Sequence, residues 1–317
     1  MERMLVSGSP YFRRHGINGT VIGQGSENPF APQLVQAGYE VRLVPSLRSL
    51  RGLRSLRHLL RDLRPDLVHI HTEGSYLETA MISYLAHIPA VRTIHNVFQR
   101  KGLARAKRKV RGLMADRLVK AVMAPSPDVL ANEKGLGRKC ILIYNWVDDK
   151  YFTIARQVRK DSIVIVGNCS SIKNHETVLN KALMEGLSVF HHGDETHASY
   201  REKELLGNLD ALGLLLERGS GDPVLSYSQA EAFVMPSLHE GMPVSLAEAI
   251  TVGLPCLVAD VPGLSWALKL PSVVSLSPEP LRVQLDRLSE MNDAGLDFSA
   301  TRGVSELAQT YWGAIGS

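Results

Sequence analysis

Two glutamates separated by seven residues, Glu240 and Glu248, lie in the richest stretch of the chain, residues 233–263, FVMPSLHEGMPVSLAEAITVGLPCLVADVPG. An apolar run ending at Pro236 reads as a buried strand, the polar residues 237–241 as a loop, and Pro243 as the first turn of a helix that Gly253 stops. The free N–H groups within residues 242–246 then sit at a helix start just beyond the carboxyl end of a strand. Open α/β sheets bind phosphates at such places. Carboxylates beside an anion site suit hydroxyl groups, one on a sugar and one on a ribose. The spacing alone equally allows Glu248 to face the helix dipole and Glu240 to be a solvated loop residue.

Other reactive residue types are less convergent. His69 and His71 share one strand, His191 and His192 another, and His197 lies nearby. The spacing indicates no third metal ligand for either pair, so these histidines read as cleft-edge or core residues. The chain has no Asp-x-Asp element, which argues against metal-dependent sugar transfer, and no Gly-x-Ser-x-Gly elbow of a hydrolase. No Gly-x-Gly-x-x-Gly follows a strand, which argues against a nicotinamide dehydrogenase.

With Gly241, Pro243 and Gly253-Leu254-Pro255 around them, Glu240 and Glu248 resemble the E-x7-E element of retaining family 4 glycosyltransferases, the group 1 enzymes. Further segments follow in the family's order. Pro65-Asp66-Leu67-Val68-His69-Ile70-His71 and Val91-Arg92-Thr93-Ile94-His95 resemble two of its strand ends. Ile143-Tyr144-Asn145-Trp146-Val147-Asp148, with Phe152, is similar to its interdomain segment, and Val166-Gly167 through Lys173 to its V-G-R-…-K run. The likeness covers residues 31–265. Asn168 stands where the family has arginine, and Trp146 where it has glycine.

The resemblance implies an α/β chain of GT-B fold: two Rossmann-like parallel-sheet domains facing each other across a cleft. It implies transfer of a hexosyl group, with retention, from a nucleotide-diphosphate sugar, UDP- or GDP-linked, to a glycan, lipid-linked or small-molecule acceptor. Polysaccharide or glycolipid synthesis is the usual setting, and neither cofactor nor metal is needed. Gly167 and Lys173 would face the diphosphate; Gly241, Met242, Pro243, Val244, Ser245 and Leu246 would hold donor sugar and phosphates; Glu240 would contact the sugar and Glu248 the ribose. His95 would touch the reacting sugar, with His71, Glu73 and Gly74 on the acceptor side. Two rivals are a nucleotide-sugar epimerase of related fold and a non-catalytic nucleotide- or acceptor-binding module.

The elements that must position these residues alternate as in a parallel α/β sheet. Strands are expected at residues 4–6, 20–22, 41–44, 67–70, 91–94, 121–124 and 141–143, with helices at 29–37, 50–63, 76–86, 101–118 and 127–133. A second strand series follows at 162–166, 188–191, 232–236, 256–259 and 273–276. The charged, non-periodic residues 148–161 read as a linker between an N-terminal acceptor-side domain, 1–150, and a nucleotide-sugar-binding domain, 151–317. A helix over 304–315 would return to the first domain. Residues 11–19 are too irregular for a full first helix, so the first βα unit reads as abbreviated.

At 317 residues and 44% hydrophobic content the chain suits two globular cores. Three scattered cysteines, and no signal-peptide or membrane-spanning run, suggest a reduced cytoplasmic setting. Residues 1–150 carry 24 Lys and Arg against 12 Asp and Glu, while the remainder carries 12 against 20. Arg51, Arg54, Arg57 and Arg61 recur beside a leucine face, and residues 100–120 form a second basic run that includes Arg100, Lys107, Arg108 and Lys109. The stripe reads as contact with an anionic membrane surface, peripheral at its inner face, or else as a solvated helix face. Aromatics do not interleave with these arginines, which argues against nucleic acid.

Overall fold

The computed structural model describes residues 1–98, 101–288 and 296–316. Its contacts divide the chain into two units: Met1–Trp146 with Ser299–Ser317, and Val147–Phe298. The chain passes between them at 146–147 and again at 298–299.

The first unit runs α1 (Glu2–Arg14), β1 (Thr20–Gln24), α2 (Ala31–Gln36), β2 (Glu40–Val44), α3 (Leu50–Leu63), β3 (Val68–Ile70), α4 (Tyr76–Leu85), β4 (Ala90–Thr93), α5 (Gly102–Asp116), β5 (Ala121–Ala124), α6 (Pro127–Lys134) and β6 (Ile141–Leu142). Strands β3-β4-β5-β6 form one parallel sheet, and β1-β2 a separate parallel pair. Ile70, Ala80, Ile94, Val122 and Val129 form the core beneath the larger sheet, and Val44, Leu47, Leu56 and Leu60 that of the pair. Helix α3 starts where the Ser49 hydroxyl accepts the Gly52 N–H, and it ends at Arg64 in the left-handed region.

Residues 4–6 are helix rather than strand. Met4, Gly8 and Phe12, spaced by four, form the buried face of α1. That face meets Trp146: the indole Nε1 donates to Met4 O at 2.8 Å, and Phe12 packs edge-on at 5.9 Å. Residues 11–14 belong to the same helix, Pro10 included. A three-residue apolar run does not distinguish strand from helix; the tertiary partner does.

The second unit contains β7 (Ser162–Val166), α7 (His175–Glu185), β8 (Ser188–His192), α8 (Tyr200–Ala211), β9 (Leu215–Gly219), α9 (Val224–Gln229), β10 (Ala232–Met235), α10 (Val244–Thr251), β11 (Cys256–Val258), β12 (Val273–Ser275) and α11 (Leu281–Leu288). All six strands are parallel, in the order β12-β11-β10-β7-β8-β9. Ile163, Ile165, Val189, Val234 and Leu257 meet Leu179, Leu205, Leu206 and Leu209 in the core. Strand β9 is the one the sequence did not suggest, because Leu214-Leu215-Leu216 has no β-branched residue. The last helix, α12 (Ala300–Ile315), belongs to the first unit.

Candidate active site

In the second unit two loops at the carboxyl ends of central strands meet. The loop after β7 carries Gly167, Asn168 and Lys173; the loop after β10 carries Glu240. Leu238 N donates to Ile172 O at 2.8 Å, and Asn174 Nδ2 donates to Pro236 O at 3.2 Å, which ties one loop to the other. Lys173 Nζ thereby reaches Glu240 Oε1 at 2.6 Å, a half-buried ion pair. The approach is close elsewhere too. A Cβ on Gly193 would lie 2.0 Å from Gly167 O, and one on Gly263, whose φ is +98°, 2.0 Å from Glu240 O. Both glycines are dictated by the loops they touch.

Helix α10 follows Glu240 directly. Its N-cap is Pro243, which makes no side-chain capping bond, and its first turn has no acidic residue. By helix geometry the N–H groups of Val244, Ser245 and Leu246 lack intrahelical acceptors, so a dipole end and three donors are presented together. Glu248 lies on the buried face of α10, where the Tyr227 hydroxyl stands 3.2 Å from its Oε2 and 2.9 Å from Ser245 O. Asn168, in the place of an arginine, accepts the Asp194 N–H through Oδ1 at 3.1 Å and fixes its own loop.

In the first unit, the ends of β3 and β4 bring three imidazoles together. His71 Nδ1 lies 2.8 Å from His95 Nε2, and the His69 and His71 rings are 3.8 Å apart. His69 is held by the Tyr311 hydroxyl at 2.5 Å and by Thr93 Oγ1 at 2.8 Å. Loss of hydration, reinforced by the neighbouring imidazoles, pushes His71 well below its ordinary value and His69 down to about 3. Loss of hydration also brings His95 to about 4. All three are neutral hydrogen-bonding groups near pH 7.

Glu73 uses both carboxylate oxygens within this unit: Oε2 takes the Arg92 Nη2 at 2.8 Å, and Oε1 accepts the His95 N–H at 2.9 Å. It therefore positions His95. Arg92 is 2% exposed, and its guanidinium stacks 3.6 Å over the Tyr76 ring. Gly74 is exposed, with Arg48 Nη2 3.1 Å from where its Cβ would be.

Both units thus place polar side chains at the carboxyl ends of parallel strands, and the second adds a cation and an uncapped helix start. Two family models match adjoining stretches: Glycosyltransferase Family 4 over residues 1–151, and Glycosyl transferases group 1 over residues 152–270. The chain is a group 1 glycosyltransferase. It is 28% identical over 290 residues to EpsF of Bacillus subtilis, described as a glycosyltransferase, across 77% of this chain and 74% of EpsF. Among solved structures, Anabaena HepE in complex with UDP and glucose matches with TM-score 0.70 and 16% identity, covering 99% of this chain and 93% of that one. A glycosyltransferase from Rickettsia africae matches with TM-score 0.70 and 14% identity, covering 99% and 90%. At such identities the structural likeness speaks for the fold: α/β, two domains of parallel sheet, GT-B.

The basic residues of this glycosyltransferase fall into two groups. Arg51, Arg54, Arg57 and Arg61 are exposed along α3, as are Lys107 and Lys109 on α5. Arg108 is not a surface cation of that kind. Its Nη2 pairs at 2.6 Å with Glu133, which is fully buried, and its guanidinium lies 4.8 Å over Phe98. Glu133 also binds Arg138, which pairs in turn with Asp116, so Arg108 belongs to an internal network joining α5 to α6. Arg100 lies outside the described residues. Among them, no helix is long and apolar enough to cross a membrane.

The residues that sequence reasoning missed are the supports: Tyr227 under Glu248, Tyr311 and Thr93 under His69, and Arg92 under Glu73. Tyr227 and Tyr311 lie far in sequence from the groups they hold and in no quoted motif, whereas Arg92 and Thr93 fall inside the quoted segment 91–95, which gave them no supporting role.

Proposed function

We propose that this enzyme transfers a hexosyl group from a UDP- or GDP-sugar, with retention and without a metal in the reaction, to a glycan or lipid-linked acceptor in polysaccharide or glycolipid synthesis. The pairing of Lys173 with Glu240 beside Gly167 and the start of α10 carries this reading. Without donor, each of the pair neutralises the other. A diphosphate would draw Lys173 away, and Glu240 would turn to the sugar hydroxyls, where its charge does not oppose the phosphates. The anomeric C–O bond to the diphosphate then breaks, the acceptor oxygen bonds to that carbon, and the acceptor's proton leaves with the nucleotide. Lys173 and the N–H groups of residues 241, 242 and 244–246 stabilise the departing charge.

Glu248, steadied by Tyr227, is assigned to the ribose. His95, neutral and oriented by Glu73, is assigned to the reacting sugar, with His71 and Gly74 on the acceptor side. The UDP and glucose in the HepE complex favour UDP as the nucleotide. Peripheral binding to an anionic cytoplasmic membrane surface through Arg51, Arg54, Arg57, Arg61, Lys107 and Lys109 would bring a lipid-linked acceptor within reach.

The test is a thermal-shift panel with UDP, GDP, ADP, CDP and dTDP on the wild-type chain and on Glu248→Ala. Stabilisation by one nucleotide, about 2.7 kcal/mol at 100 times its dissociation constant, and its loss in the variant are expected. No shift with any nucleotide would remove the donor site. The anomeric configuration of the product, read by NMR coupling constants, tests retention.

A further inference from the structure

Behind the Gly167–Lys173 loop the second unit gathers four donor side chains that the transfer reaction does not use. Cys169 comes from that loop, His175 opens α7, His191 lies on β8, and Glu202 is in the first turn of α8. All four are buried, and one donor atom from each lies within 4.8 Å of every other. Tetrahedral zinc with bond lengths of about 2.3 Å to sulfur and 2.0–2.2 Å to nitrogen or oxygen requires ligand separations of roughly 3.3–3.6 Å. Cys169 Sγ is 3.6 Å from His191 Nε2, and His175 Nδ1 is 3.0 Å from Glu202 Oε1.

Hydrogen bonding alone accounts poorly for this group. His191 is 0% exposed, yet its Nδ1 has no hydrogen-bond partner and its Nε2 faces only a thiol at a long distance. A buried imidazole so weakly satisfied is costly. The sequence Ser199-Tyr200-Arg201-Glu202 is that of a capping box, in which the glutamate would turn back to the N-cap N–H. The Ser199 hydroxyl does accept the Glu202 N–H at 2.9 Å, but the carboxylate points inward to His175 and is 2% exposed.

We propose that Cys169, His175, His191 and Glu202 form a closed, four-ligand site for zinc. With no position left for water, its role is structural. It would lock the β7–α7 loop, which carries Lys173, onto β8 and α8. The ion touches no reacting group, so metal-independent transfer and this site are compatible.

The experiment is titration of the metal-free wild-type chain with Co2+, followed optically, with Zn2+ competition and metal analysis after dialysis. The expected result is one equivalent per chain, intense visible bands of tetrahedral cobalt, a thiolate charge-transfer band, and displacement by Zn2+. Cys169→Ser should abolish the charge-transfer band and weaken Zn2+ affinity at least tenfold, whereas Cys140→Ser should retain both. Circular dichroism of each variant separates lost binding from lost folding. Absence of the charge-transfer band in the wild type, its survival in Cys169→Ser, or the weak spectrum of octahedral cobalt would overturn the proposal.

Discussion

At the scale of single residues, the Lys173–Glu240 pair makes the sharpest prediction. Glu240→Gln removes the internal counter-ion of Lys173 and leaves the lysine to the diphosphate. Nucleoside diphosphate affinity should therefore rise several-fold by calorimetry while turnover falls by about 10²–10³, the usual scale for a transition-state contact. Loss of both together would mean that Glu240 only builds the loop. The imidazole cluster makes a prediction about pH. His69 and His95 titrate near 3 and 4 in the folded protein against about 6.5 when unfolded. Their contribution is complete above pH 6.5. It is lost as the pH falls toward 4, because the unfolded chain takes up protons first. Thermal midpoints of wild type and His95→Gln between pH 7.5 and 5 should converge as the pH falls; parallel curves would contradict this. Glu240, Glu248 and Lys173 were singled out in the sequence because their segments resemble those of the family; the spacing of the two glutamates alone left their roles open. Tyr227 was not, since its hydroxyl meets Glu248 across 21 positions of chain.

At the scale of elements, strongly alternating segments were read correctly and ambiguous ones were decided by their neighbours. The stretch 121–124 and helix α3 have period and boundaries in agreement, and both stand as expected. Helix α1 was hidden because its apolar run is short and its packing partner, Trp146, lies more than 130 residues away in the chain. The α5–α6 junction shows the converse. A run of cations reads as surface, but one of them, Arg108, turns inward because Glu133 on α6 is fully buried and already bound to Arg138. Glu133→Gln leaves two guanidinium groups undercompensated, and its expected cost is about 3–5 kcal/mol in urea unfolding. A change under 1 kcal/mol would show that water reaches the network.

At the scale of the whole molecule, the basic first 150 residues and the acidic remainder separate in sequence much as the two units do. If the exposed cations of α3 meet a membrane, Arg54→Glu, Arg57→Glu and Arg61→Glu together should weaken sedimentation with phosphatidylserine vesicles. The loss should be about 1 kcal/mol or more per residue, and it should shrink as salt is raised. Equal binding by wild type and triple variant would identify the stripe as a solvated face. Trp146 has an optical consequence. Its indole is 4% exposed and fills a slot where Gly8 and Gly303 would place a Cβ at 3.0 and 2.8 Å, so it replaces a glycine at no steric expense. Of the three tryptophans, Trp146 reports α1 and α12 of the first unit, Trp266 is buried in the second, and Trp312 is 52% exposed. With Trp312 and Trp266 both replaced by phenylalanine, the emission of Trp146 alone would follow the melting of the first unit, and with Trp146 and Trp312 replaced that of Trp266 would follow the second. Fluorescence thus offers a separate colour-shift thermometer for each half of the enzyme.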